Sequence, residues 1–276
     1  MTTPATAPAA ATGAPGVATT IGLANVARSE WTKLRSVRST RWISVLTVLA
    51  ALVPGAVICA RWVADFHAGH QSRLGFDAAL TSLTGIYLAQ IAVGALGVLV
   101  ISSEYSTGMI RASLSAVPQR RALLAVKASV FALAAFAGGE LLSFITFGVG
   151  QAILHGAQAG LSLGSGPALR AAFGGGLYLT AVGLLGFGFG ALVRYTAGAL
   201  SAFYGLLFAS TAVLDLLPTR WRNDLIRYMP ANSGSQIFTT VRGHDALAPW
   251  AGLCVFCCYV AVVLAAAFVL VARRDA

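Results

Sequence analysis

Two carboxylates stand in stretches that offer them no water. Glu140 lies in "AAFAGGELLSFITF" and Asp215 in "STAVLDLLP". A charge at the centre of a bilayer costs about 2.5 kcal/mol or more, so such a group must face protein or a water-filled path. Glu140 either lines a translocation pathway and relays protons, or is a protonated acid in a hydrogen bond between helices. The residues around it fit both readings. Asp215 falls near the outer end of its apolar run, where an acid at the interface is ordinary; a pathway role is the competing reading.

Other residue types that do chemistry are present without the spacing to do it. His67, His70, His155 and His244 lie outside the apolar runs, and no HExxH or paired-aspartate motif occurs. Cys254, Cys257 and Cys258 share one apolar run that holds no His, Asp or Glu, and Cys59 lies in another. Free cysteine packs as a small hydrophobe, so no metal site is expected. Glycine is dense from Gly174 to Gly190, but no strand precedes it and no Lys-Ser/Thr follows, which excludes a phosphate loop. Gly183, Gly186 and Gly190 suit close helix packing instead, the last two as a small-xxx-small pair. The chain is not read as an enzyme, and no catalytic residue or resident cofactor is expected.

The elements that must position these residues follow from composition. The 276 residues are 57% hydrophobic and 10% charged, against roughly 25% charged in a soluble domain. The fold class is all-α integral membrane. Six runs reach the about 20 apolar residues that cross a hydrocarbon core: 42–60, 79–103, 128–154, 171–193, 197–217 and 250–272. The net charge of +10 is placed at the ends of these runs, a membrane pattern rather than a nucleic-acid patch. Twelve basic residues fall on the side shared by the termini and seven on the other, so both termini are expected in the cytoplasm.

Residues 1–22 carry no charge and are rich in Ala, Thr and Pro; they are expected to form a disordered cytoplasmic tail. Over 23–41, Leu23, Val26, Ala27, Trp31, Leu34 and Val37 recur at helical spacing while Arg28, Lys33 and Arg35 point elsewhere. That pattern predicts an amphipathic helix lying in the interface ahead of the transmembrane domain, 42–276. Between the last two runs, 218–249 is an outer segment. Trp221, Leu225 and Met229 predict a short helix there, ended by Pro230, before the chain turns back toward the membrane.

One charged stretch interrupts the apolar runs: "EYSTGMIRASLSAVPQRRALLAVK", residues 104–127. Ile110, Leu114 and Val117 share a helical face that Pro118 terminates. Arg111 lies off that face, and Arg120 and Arg121 make a basic turn. This short amphipathic helix, held between the second and third spans, can dock on a soluble partner. The stretch resembles the loop of type-2 ATP-binding-cassette (ABC) transporter permeases: an acid (Glu104), a small pair (Thr107, Gly108), a short helix, a proline (Pro118), a basic turn and a lysine (Lys127). The usual order of the small pair is Gly then Thr with acids following; here Thr107 precedes Gly108 and Arg111 follows, as in an actinobacterial-like branch. "SEWTKLRSVRSTRW" (29–42), with Trp31, Lys33, Leu34 and Arg35, resembles the connecting helix of the same branch. "YMPANSGSQI" (228–237) resembles its motif ahead of the last span.

The resemblance implies a six-span permease subunit in a bacterial plasma membrane, paired with a second permease protomer as a homo- or heterodimer. Two copies of a separate cassette ATPase would bind ATP and magnesium, since this chain lacks the Walker A lysine motif. Residues 104–118 would be the coupling helix that receives the ATPase's motion. Export of a lipid-like or amphiphilic compound is the expected activity. A proton-coupled secondary transporter using Glu140 and a non-transporting sensor or signalling subunit are the rival readings. The sequence does not name the substrate.

Overall fold

A computed structural model describes residues 23–109, 120–214, 216, 218–243 and 246–273. The tail 1–22, the loop residues Ile110, Arg111, Leu114 and Pro118, and Asp215 lie outside the described residues. Among those described, helices α1 (Leu23–Ser36), α2 (Arg38–His67), α3 (Ala78–Ser82), α4 (Ile86–Ser106), α5 (Arg120–His155) and α6 (Gly166–Val193) follow in order. Then come α7 (Thr196–Tyr204), a π-helical turn (Gly205–Ala209), α8 (Ser210–Leu214), α9 (Thr219–Ile226), α10 (Pro230–Ser235), a 3-10 turn (Gln236–Phe238) and α11 (Pro249–Arg273). No strand occurs among them. Six helices are long and apolar enough to cross a membrane: α2, α4, α5, α6, the continuous rod Thr196–Leu214, and α11.

Two boundaries differ from those expected. The run 79–103 is not one helix: it breaks at Leu83–Gly85, between α3 and α4. The break lets the backbone there press on α2, where a Cβ on Gly85 would meet the Ala51 carbonyl oxygen at 1.7 Å. Pro230 does not end the short outer helix; it opens α10. A proline suits the first turn of a helix because its missing N–H has no partner there anyway. The segment behind it turns inward, burying Pro230, Ser233, Gly234, Ile237 and Phe238.

Helix α6 is the hub, with α4, α5 and α11 around it. Its glycines explain how. A Cβ on Gly186 would lie 2.3 Å from the Gly94 carbonyl oxygen of α4, and one on Gly190 would lie 2.7 Å from the Val98 carbonyl oxygen. From the other side, a Cβ on Gly97 would lie 2.1 Å from the carbonyl oxygen of Gly183. The two backbones therefore touch along a glycine seam, the close approach that drives helix association where lipid removes the hydrophobic incentive. Gly94 and Gly97 are the half of this seam that the sequence did not single out.

The end of the bundle opposite α1 is held by polar ties. The Asp77 carboxylate accepts from the Leu80 amide that it caps, from the Thr240 amide and hydroxyl (both 2.6 Å), and from the Val241 amide (2.8 Å). Arg170 donates to the Thr239 carbonyl and Arg73 to the Ala157 carbonyl, each at 2.7 Å. Three connecting segments and the start of α6 are locked together at this end.

Because the seam has no free space, Gly186→Leu should abolish a monodisperse peak in detergent size-exclusion chromatography. Overpacking of this kind costs about 1–3 kcal/mol and more where backbone must move. Gly148→Ala, whose added methyl meets nothing within 4 Å, should leave the elution profile and thermal midpoint unchanged.

Candidate functional site

The loop singled out in the sequence leaves α4 through a defined cap. The Thr107 amide and hydroxyl both donate to the Ser103 carbonyl, at 3.1 and 2.8 Å. Gly108 follows at φ 71° and its amide donates to the Tyr105 carbonyl. A glycine in the left-handed region just past the last turn is the standard way to stop a helix, since side chains resist that conformation. The Thr107–Gly108 pair is thus the helix stop that sets the loop's direction of departure.

One turn before the cap, Glu104 points into the protein. Its Oε1 accepts from the Lys127 ammonium at 2.6 Å and from the Lys33 ammonium at 3.2 Å. The second acid is Glu30 of α1: Oε2 accepts from Lys127 at 2.7 Å and Oε1 from Lys33 at 2.9 Å. Two carboxylates and two ammoniums form a closed, neutral ring of four ion pairs. Glu30, Glu104 and Lys127 are 7%, 5% and 3% exposed, while Lys33 is half-buried. The ring joins three elements: α1, the end of α4 and the start of α5.

The chain has two lysines against seventeen arginines, and three glutamates. Both lysines and two of the glutamates meet here. The choice has a physical basis. An ammonium is a compact charge with three donors and fits between two carboxylates, where a planar guanidinium needs more room and a fixed plane. A helical turn away from each acid and base lie Ile101 and Leu124, part of an apolar cluster with Phe131, Phe187 and Ala191. Those side chains keep water from the ring's inner face. Isolated charges there would cost several kcal/mol each, so each stays buried only because its partners do. Glu104 Oε2 has no partner among the described residues.

The ring also shifts the ionisation of Glu30 and Lys33. Burial works to raise the Glu30 carboxyl, but the hydrogen bonds and charges of Lys127 and Lys33 outweigh it and hold the group below its ordinary 4.5. Burial likewise works to lower the Lys33 ammonium, and Glu30 and Glu104 hold it above its ordinary 10.5. A carboxyl lowered by folding adds stability above its unfolded value and loses it as pH falls through the folded one. A raised ammonium adds stability below its unfolded value and loses it on the way up. The contributions of Glu30 and Lys33 are therefore both fully present between about pH 4.5 and 10.5.

Not all expected site residues gather here. Lys33 does not point away from the packed side of α1: it turns inward to the ring, because Glu30 sits one turn before it on the buried face. Trp31, Leu34 and Arg35 line a cleft between α1–α2 and the α4–α5 pair, with the Arg35 guanidinium 5.9 Å from the Trp31 ring centre. Arg121 is exposed. Glu140 lies thirteen residues beyond Lys127 on α5, about 20 Å along the helix. Its carboxyl presses on Gly176 of α6, and both oxygens are buried with no hydrogen-bond partner. The helix-to-helix hydrogen bond that the sequence left open for Glu140 is thus not formed among the described residues. No cluster of His, Cys, Asp or Glu that could hold an ion occurs among the described residues.

Two side chains that hold these polar networks, Glu30 and Asp77, are not among the residues that the sequence pattern singles out. Glu30 was hidden inside a basic stretch, although its i, i+3 spacing to Lys33 was visible. Asp77 carried a signal that was passed over, an aspartate directly ahead of an apolar helix. In comparison with known proteins, no family model matches the chain and no curated protein matches it.

Removing one member strands the rest. Lys127→Met leaves two buried carboxylates with Lys33 alone and should cost about 3–5 kcal/mol, read by thermal unfolding in detergent. The α1 amides should then exchange hydrogen at rates typical of an undocked helix. Lowering the pH of the unaltered protein below 4.5 should release α1 in the same assay as Glu30 takes up its proton. Unchanged protection of α1 in both cases would show that the ring does not hold it.

Proposed function

We propose that the chain is the permease subunit of an ABC-type transporter, driven by a separate ATPase that docks on the 104–118 loop. The observation that carries this reading is the ion ring at the loop's base. Glu104 stands at the exit from α4 and Lys127 near the entry to α5, so both ends of the loop are tied to each other and to α1. A loop that only connects two helices has no need of such a foundation. A loop that takes force from a soluble partner does, because slack at its base would dissipate the motion before it reached the spans. The Thr107–Gly108 stop serves the same end by fixing the loop's departure.

In this reading α1 lies along the cytoplasmic face of the membrane, with Trp31 at headgroup depth, and both termini are cytoplasmic. The cargo is lipid-like or amphiphilic, in keeping with the high mean hydropathy of the six spans. Two permease protomers enclose the path, and ATP and magnesium belong to the partner. A second reading, proton-coupled transport without an ATPase, draws on the unpartnered Glu140 carboxyl. Glu140→Gln keeps the shape and removes the proton, so it separates the two. Under the ABC reading transport continues at a similar rate across pH; under the second it stops.

The direct test is capture of a cognate cassette ATPase by the full-length membrane protein. Ile110→Asp or Leu114→Asp should reduce capture at least tenfold and uncouple hydrolysis from transport, since an unpaired charge in a packed contact costs a few kcal/mol, on the order of 2–4. Replacing Arg120 and Arg121 by Ala should have a smaller, salt-dependent effect, because exposed charges are screened. Full capture and full transport by Leu114→Asp would reject the coupling role.

A further inference from the structure

We infer that the cleft behind α1 is a binding site for one anionic phospholipid, whose acyl chain enters between α2, α4 and α5. The main cavity holds 270 Å³ and is walled by Val48, Val93, Leu96, Phe131, Ala135 and Leu142. That is room for about nine water-sized groups, and so for an acyl stretch of similar length. A second cavity of 160 Å³ shares Leu34, Thr40 and Leu96 with the first and reaches the ion ring at Glu30, Lys33 and Glu104. The two make one cleft, apolar at depth and polar at its mouth.

Charge complementarity selects the headgroup. The ring itself is neutral, so a headgroup would meet the basic residues of this stretch, of which Arg35 lines the cleft. Between residues 28 and 41 stand Arg28, Lys33, Arg35, Arg38 and Arg41 against the single acid Glu30. No carboxylate pairs with Arg28, Arg35 or Arg38 among the described residues; Arg41 donates to the Ser36 carbonyl. Arg35 lines the cleft itself, beside the amphipathic Trp31 ring. A guanidinium at the polar end of an apolar slot, with an indole next to it, suits a phosphate joined to a hydrocarbon tail. A free phosphate would leave the 270 Å³ of apolar space empty, and a zwitterionic phospholipid would bring its own ammonium toward a basic stretch. Helix α1 then rests on lipid along one side and on the ring along the other.

The experiment needs no ATPase, so it stands or falls apart from the transport reading. The full chain, with Trp42, Trp62, Trp221 and Trp250 each replaced by Phe so that Trp31 alone reports, is placed in phosphatidylcholine vesicles doped with phosphatidylglycerol. The acyl chains of one lipid or the other are brominated. Phosphatidylglycerol should quench Trp31 several-fold more per mole than phosphatidylcholine, and about one molecule per chain should survive purification and appear by native mass spectrometry. Gly138→Phe fills the cleft from a wall position whose Cβ meets nothing within 4 Å, and should abolish the retained lipid. Arg35→Glu should abolish the preference while leaving the thermal midpoint near that of the parent. Equal quenching by both lipids, or undiminished retention in a folded Gly138→Phe protein, would overturn the site. Should Gly138→Phe fail to fold, the lipid preference of the parent and its loss in Arg35→Glu decide alone.

Discussion

A buried charge must find its opposite, and in this chain the opposites come from three elements distant in sequence. Glu30 and Lys127 are 97 residues apart, and Glu104 and Lys127 are 23 apart. Neither lysine nor either glutamate is tolerable alone at that depth. The ring thus fixes where α1 lies relative to α4 and α5, and hence where the intervening loop leaves the bundle. Apolar packing could hold α1 against the same helices, but it is permissive of sliding. Four directed ion pairs are not.

The rest of the architecture divides the labour. Along the middle, α4 and α6 meet backbone to backbone through glycine, a contact with great rigidity and no room for adjustment. At the end away from α1, Asp77, Arg73 and Arg170 tie the connecting segments to one another through backbone amides and carbonyls. The bundle is therefore stiff at its centre and at one end. At the other end, stiffness depends on ionisable side chains, with a partly open cleft beside them.

Much of this was legible in the sequence, for reasons that differ by element. The six long helices were, because hydrocarbon leaves the backbone no alternative and the apolar runs are unmistakable in length. Gly186 and Gly190 announced a close contact, but a glycine pair does not name its partner, so Gly94 and Gly97 went unnoticed. The break at Leu83–Gly85 coincides with a dip in hydropathy over 81–85, TSLTG, which is too short to divide the apolar run by length alone. Glu104 and Lys127 stood out as loop residues. Their union with Glu30 and Lys33 did not, since pairing across three elements is a property of the fold. Glu30 was the least visible of the four, a single acid among five basic residues. The inward turn of 230–238 was only hinted at, because its polar composition reads as an exposed loop until Tyr178 and Phe256 are seen packed on Gly234.

The ring and the cleft share α1, and this sharing has a thermodynamic consequence. Whatever binds the loop and shifts α1 must alter the fit of any molecule seated under α1. By reciprocity, that molecule alters the binding at the loop by the same factor. Glu104 Oε1 sharpens the connection, because it accepts from both ammoniums at once: a displacement that lengthens one contact disturbs the other. A lipid wedged behind α1 and a protein pressing on the loop would then compete or cooperate through one short helix. Their free energies would be joined at four side chains rather than spread through the bundle. The glycine seam between α4 and α6 carries none of that exchange, since it has a single packing and no second arrangement to offer. The part of the molecule free to answer a signal is therefore the part built from charges.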